Sequence, residues 1–287
     1  MGKSLQYGEV GCIITNHKKG ELGMRYSNLH NHSCFSDGEH TVAQIVAAAE
    51  EKNMLSIGFS DHSYTARDPS YCMALEQYDS YLRTIENAKR SSSIPVYAGI
   101  EQDYYSEMIF DGLDYVIASV HYIIKNGICY PIDHSLAQQQ NCIVNAFGGN
   151  VLEMAKCYFD MLCEHVERVK PTFVGHFDVI SKFSIMPEAD DRYRTIVEDA
   201  LKQIIKSCPY IECNTGAIAR GLRTIPYPNP DFWNVIREES GRIVLNADSH
   251  QKENLTFYFD EMVSLLKEKG FEAIYVFNGK DFDAVNI

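Results

Sequence analysis

Six histidines and three carboxylates in this chain have the types and spacing to hold metal ions. They are His30, His32, His62, His121, His176 and His250, with Asp37, Glu101 and Asp248 between them. In an extended segment, residues two apart project the same way, so His30 and His32 can turn both imidazoles onto one ion. Asp248 and His250 share that spacing. Nine ligands are too many for one tetrahedral or octahedral site, and suit two or three ions. Mixed imidazole and carboxylate donors favour Zn, Mn or Fe over Ca or a thiolate-bound zinc. A single His after a strand is more often a surface or hydrogen-bonded residue than a ligand. Six at equivalent positions, interleaved with carboxylates, form a different pattern. His17, His40, His134 and His165 fall outside it; His40 belongs to a helix start and His165 to a helix face.

The pattern depends on the elements that carry it. Short apolar, often β-branched runs predict strands at 25–29, 55–59, 95–100, 115–119, 172–175, 210–213 and 243–246. Amphipathic stretches between them predict helices at 41–52, 75–91, 149–169, 190–206, 231–239 and 254–269. A last apolar run covers 273–277. Nearly every strand ends in a metal-competent side chain. The first reaches His30, the second Asp61 and His62, the third Glu101, the fourth His121, the fifth His176 and the seventh Asp248. The segment Ser36–Thr41 reads as a turn into a helix, with Asp37 at the mouth of the first strand. Alternating strands and helices predict an α/β fold with parallel strands, most economically a barrel, whose strand C-termini are where sites are built. Seven strands and a terminal run allow a seven-stranded barrel or an imperfect eight-stranded one. An open doubly wound sheet is the alternative, weakened because no Gly-rich nucleotide loop follows the first strand.

Composition sets outer limits. The 287 residues are 45% hydrophobic and 23% charged, as in an ordinary globular protein. With 39 acidic against 26 basic residues the net charge is -13, which disfavours nucleic acid and anionic membranes as partners. No apolar run is long enough for a membrane span. Nine scattered cysteines without a C-x-x-C pair read as reduced thiols and predict a cytoplasmic protein. Residues 1–23 read as a weakly patterned extension, and 24–287 as one domain.

The motifs resemble a known family. HNHSCFSDG at 30–38 and FSDHS at 59–63 look like the first two motifs of the polymerase and histidinol phosphatase (PHP) superfamily. Glu101, His121, GHFD at 175–178 and ADSH at 247–250 fall where its later motifs belong. YAGIEQDYY (97–105), DYVIASVHYI (114–123), GHFDVISKF (175–183) and IECNTGAIARGL (211–222) are most similar to its histidinol-phosphate phosphatases. The resemblance implies a distorted (β/α)7 TIM-like barrel with a trinuclear centre. His30, His32, Glu101 and Asp248 would hold one ion. Glu101 would bridge to a second, held also by His121 and His176, and Asp37, His62 and His250 would hold a third.

The implied activity is hydrolysis of a small phosphate monoester, foremost L-histidinol phosphate, a step of histidine biosynthesis. A metal-bridging hydroxide would attack phosphorus, with Glu101 and Asp248 in the catalytic centre. Another phosphoesterase of the superfamily, such as a tyrosine phosphatase, or a non-catalytic metal-binding scaffold are the alternatives. Arg220, after the sixth strand, is the leading phosphate-binding cation, with Arg223 and Lys182 behind it. Asp61, beside His62, is an orienting carboxylate or a proton donor. Tyr104, Tyr105, Asp133 and the loop 66–73 are candidates to read the cationic end of the substrate.

Overall fold

The computed structural model describes residues 24–106 and 111–287. The extension expected at 1–23 lies outside the described residues. In chain order the elements are β1 (Ser27–Asn28), α1 (Val42–Glu51), β2 (Ser56–Phe59), α2 (Tyr78–Ser91), β3 (Val96–Asp103) and β4 (Tyr115–Ser119). There follow β5 (Tyr122–Lys125), β6 (Ile128–Pro131), α3 (Leu136–Phe147), α4 (Val151–Val169), β7 (Phe173–Val174) and α5 (Asp191–Ser207). The chain continues through β8 (Tyr210–Asn214), α6 (Gly216–Ala219), α7 (Trp233–Glu238), β9 (Arg242–Asn246), α8 (Phe259–Glu268), β10 (Ala273–Phe277) and β11 (Phe282–Asn286).

Seven strands form one parallel sheet in the order β1-β2-β3-β4-β7-β8-β9. The sheet curls until its outer strands meet beyond their C-termini. There the His32 amide donates to the Ser249 carbonyl (2.9 Å), and the Ser249 amide to the His30 carbonyl (3.0 Å). The result is a nearly closed seven-stranded barrel. The run at 273–277 is not an eighth barrel strand. It pairs antiparallel with β11 as a hairpin packed beside β9.

Local chemistry explains the elements. Thr41 caps α1 with a full capping box through Gln44, and Val42, Ile45, Val46 and Ala49 form its buried face. The Ser135 and Asn150 side chains cap α3 and α4 by accepting the Gln138 and Glu153 amides. The barrel interior below the site is apolar: Leu29, Tyr115, Ile117, Phe173, Val244 and Phe277 pack together. Tyr115 lies across this interior and donates its hydroxyl to the carbonyls of Leu29 and Phe59. Gly58 and Gly99 make room for it, since a Cβ at either would fall within 2.4 Å of the tyrosine. Larger clusters between the barrel and its helices complete the core.

The expected and observed elements differ in detail. The strand expected at 25–29 is paired only over Ser27–Asn28, while the third strand runs on through Asp103. The hairpin β5–β6 and helix α3 between His121 and α4 had no counterpart in the sequence reading. Among the described residues no helix is long and apolar enough to cross a membrane.

Candidate metal centre

Glu101, fully buried near the end of β3, is the hub of the site. His30, His32 and His62 approach its Oε2 at 3.3, 3.5 and 2.9 Å. His121 and His176 approach its Oε1 at 3.3 and 2.7 Å. One carboxylate therefore faces two sets of imidazoles, the geometry needed to bridge two ions. Asp248 Oδ1 stands 3.4 Å from His32 Nε2 and 3.8 Å from His30 Nε2. Asp37 reaches His250 at 3.2 Å, His32 at 3.6 Å and His62 at 3.7 Å. The structure thus brings all nine sequence candidates together. It adds His32 to the group of Asp37, His62 and His250, and sets His62 beside Glu101 and His121 as well.

The donor set fits divalent cations. His30 Nε2, both ring nitrogens of His32 and Glu101 Oε2 are buried without a hydrogen bond of proper geometry. Such orphaned acceptors call for an explanation, and a shared cation supplies one. Burial drives the His32 imidazole down to about 3, with His250 and His62 adding to the effect. Burial also works against a charged His30, but Glu212, Glu101 and Asp248 carry it well above the usual imidazole value. Burial would raise Glu101, yet His62, His30 and His121 hold it well below the carboxylate range. A divalent cation would satisfy the same carboxylates in place of imidazole protons.

A ring of partners fixes the ligands. Glu212, fully buried in β8, takes His30 Nδ1 at 2.7 Å through Oε1 and the His176 amide at 2.7 Å through Oε2. Asn214 and Asn246 donate to the same carboxylate. Asp103 takes both the amide and the ring Nδ1 of His121. Such partners set the orientation of a metal-binding imidazole. The sequence reading missed both. Asp103 carried a signal, since it lies two residues beyond Glu101 on the same strand face. So did Glu212, a lone charge inside the apolar run of β8.

Asp61 is set to hold a loop in place. Its carboxylate is fully buried and accepts the amides and hydroxyls of Ser33 and Ser36 at 2.6–3.0 Å. It thereby ties down the loop that presents Asp37. Gly38 lets that loop close over His32, where a Cβ would come within 2.2 Å of the His32 carbonyl oxygen.

The cationic candidates separate. A cavity of about 580 Å³ opens above the ligands, and Arg220 and Lys182 line it. Arg220 donates to Asp248 Oδ2 at 3.1 Å and stands 3.3 Å from His250 Nδ1. Lys182 pairs with Asp133 at 3.2 Å. Arg223 does not reach the cavity. It is buried, donates to the carbonyl and hydroxyl of Ser181 and to Glu188, and so braces the segment after His176. Tyr104 and Tyr105 also point elsewhere: Tyr104 donates to Glu164, and the Tyr105 hydroxyl accepts the Ile124 amide. Asp68, Ser70, Tyr71 and Asp133 do line the cavity, as does His134, which the sequence pattern had set aside. His165 is a buried core residue bonded to the Gln102 carbonyl.

A parallel barrel with imidazoles and carboxylates converging at its strand ends defines a class of metal-binding α/β barrels. The chain belongs to the PHP domain family, whose model matches residues 28–216. A Schizosaccharomyces pombe protein named "Probable histidinol-phosphatase" is 23% identical over 85% of this chain and 87% of its own length. The Saccharomyces cerevisiae histidinol-phosphatase is 26% identical over 53% of this chain and 51% of its own. The fold is also that of the histidinol phosphate phosphatase HisK from Lactococcus lactis, solved with zinc, L-histidinol and phosphate. That structure aligns with a TM-score of 0.66 at 19% identity, covering 90% of this chain and 99% of that one.

Proposed function

We propose that this protein hydrolyses L-histidinol phosphate to L-histidinol and phosphate, using two or three divalent metal ions. The observation that carries the reading is Glu101, a buried carboxylate with imidazoles on both oxygens at the floor of a cavity lined by Arg220 and Lys182. His30, His32, Glu101 and Asp248 would hold one ion, Glu101, His121 and His176 a second, and Asp37, His62 and His250 a third. The names of the relatives support the substrate, and zinc in the Lactococcus lactis structure makes zinc the first ion to test. Bound ions would supply a water acidified toward neutral pH and positive charge for the phosphoryl oxygens.

The protein's own residues do the rest. Glu212 holds the His30 ring with Nε2 toward Glu101 and Asp248. Asp103 does the same for His121. The planar guanidinium of Arg220 suits a phosphoryl group, and Asp248 and His250 fix it at the edge of the ligand set. Lys182 adds a second cation within the cavity. This local positive charge reconciles an anionic substrate with a chain of net charge -13. We extend the proposal to a cytoplasmic site of action, which the unbridged cysteines among the described residues fit.

The test is direct. Metal content is counted on the purified protein, and turnover of histidinol phosphate, phosphotyrosine and glycerol phosphate is compared. Histidinol phosphate is expected to be the best substrate, and chelation to abolish its turnover. Metal-loaded protein that hydrolyses none of the three would overturn the phosphatase reading. Preference for phosphotyrosine would transfer it to another phosphoesterase.

A further inference from the structure

Histidinol phosphate carries an ammonium group close to its ester, so on the substrate reading above the cavity must receive a cation as well as a phosphate. Three carboxylates outside the ligand set line it: Glu39, Asp68 and Asp133. Glu39 is exposed and accepts the Gln251 amide at 2.7 Å. Asp133 is paired with Lys182. Asp68 has no Lys, Arg or His within ion-pair distance among the described residues.

Asp68 is nevertheless built in place. Its Oδ1 accepts the amide and hydroxyl of Ser70, and its Oδ2 accepts the Tyr122 hydroxyl at 3.1 Å. Partial burial works to raise this carboxyl, but the Ser70 and Tyr122 bonds, with His134 farther off in the same cavity, hold it below its ordinary value. Two aromatic rings continue the wall toward the ligands. Tyr122 lies 6.0 Å from Tyr71, and Tyr71 sits edge-on to His62 at 4.7 Å. The Tyr71 hydroxyl is buried and faces that of Tyr122. The loop is tied to the centre, because the Met73 amide donates to the His62 carbonyl at 3.0 Å. An unpaired, oriented carboxylate beside aromatic faces matches the chemistry of a primary ammonium. Arg220 lines the same cavity, which therefore offers a cation and a carboxylate to the two ends of a zwitterionic ester.

We propose that Asp68, with Tyr122 and Tyr71, forms the subsite that receives the substrate's ammonium group and selects amine-bearing phosphate esters. The experiment compares the holoenzyme with Asp68→Asn and Tyr122→Phe on histidinol phosphate and on amine-free glycerol phosphate. For Asp68→Asn, the ratio of kcat/KM for histidinol phosphate over glycerol phosphate is expected to fall about tenfold or more, mostly through KM, the scale of one lost charge-assisted contact. Tyr122→Phe should shift the ratio the same way by less, because it loosens the carboxylate without removing it. Metal content serves as the control on folding. An unchanged ratio, whether both substrates suffer equally or neither does, sinks the subsite while leaving the substrate reading intact. Wild-type protein that ignores histidinol phosphate sinks both.

Discussion

Leu29 packs into an apolar interior with Tyr115, Ile117, Phe173, Val244 and Phe277, whereas His30, the next residue, faces Glu101, Glu212 and Asp248. The two ends of the barrel meet at that peptide bond. The lower end is held by shape, with rings packed edge-on and glycines cleared for Tyr115. The upper end is held by hydrogen bonds to the buried carboxylates of Glu212, Asp103 and Asp61. Apolar packing tolerates local adjustment, but a buried charge without its partner is costly. Damage to the lower end should therefore lower stability, and damage to the upper end should remove chemistry.

Substitutions can break or sharpen this contrast. The largest effect is expected from Glu101→Ala, which removes the proposed bridge. Bound metal should drop and turnover fall by about three orders of magnitude, the scale of several kcal/mol of charge stabilisation. Retention of both, by metal analysis and kinetics, would refute the ligand assignment. Glu212→Gln comes next. It touches no ion, yet it should cost about 10–100-fold in metal affinity or activity by releasing His30 and His176. Arg220→Ala should lower kcat/KM by about 10–100-fold, as for a charge-assisted hydrogen bond, with far less change in metal content. Unchanged kinetics would remove Arg220 from the site. Phe277→Ala should have the smallest effect on turnover and a large one on stability, about 3–5 kcal/mol in chemical unfolding. Full stability with lost activity in this variant would erase the contrast.

The upper end was the more legible in sequence. The candidate ligands sit at strand C-termini, so one strand period and a list of His, Asp and Glu suffice to pick out the residues that the fold brings together. Their partners were harder. Glu212 lies in the interior of β8, and only the closed barrel reveals that it reaches both His30 and His176. The partners of Asp61 were not legible, because the serines it holds lie 25–28 residues earlier. The insert after His121 carried a signal that went unused. Asn126 and Gly127 both take positive φ (55° and 78°), the Asn-Gly turn that favours a two-residue hairpin. Helix α3 has a polar, weakly periodic sequence, and its caps Ser135 and Gly148 were the better clue. Arg220 and Arg223 lie three positions apart; sequence ranked Arg220 first by its place after a strand, but only the fold shows Arg223 turned away from the cavity.

The seam between β1 and β9 bears on how the protein comes into being. His30 and His32 emerge early in synthesis, but Asp248 and His250 emerge more than two hundred residues later, and Ser249 supplies the bonds that join the two edges. Without this segment, seven of the nine candidate ligands would stand on a sheet whose edges are not joined. On the proposed ligand set the metal centre would be complete only when the barrel is closed, so metal content would report on closure of this seam.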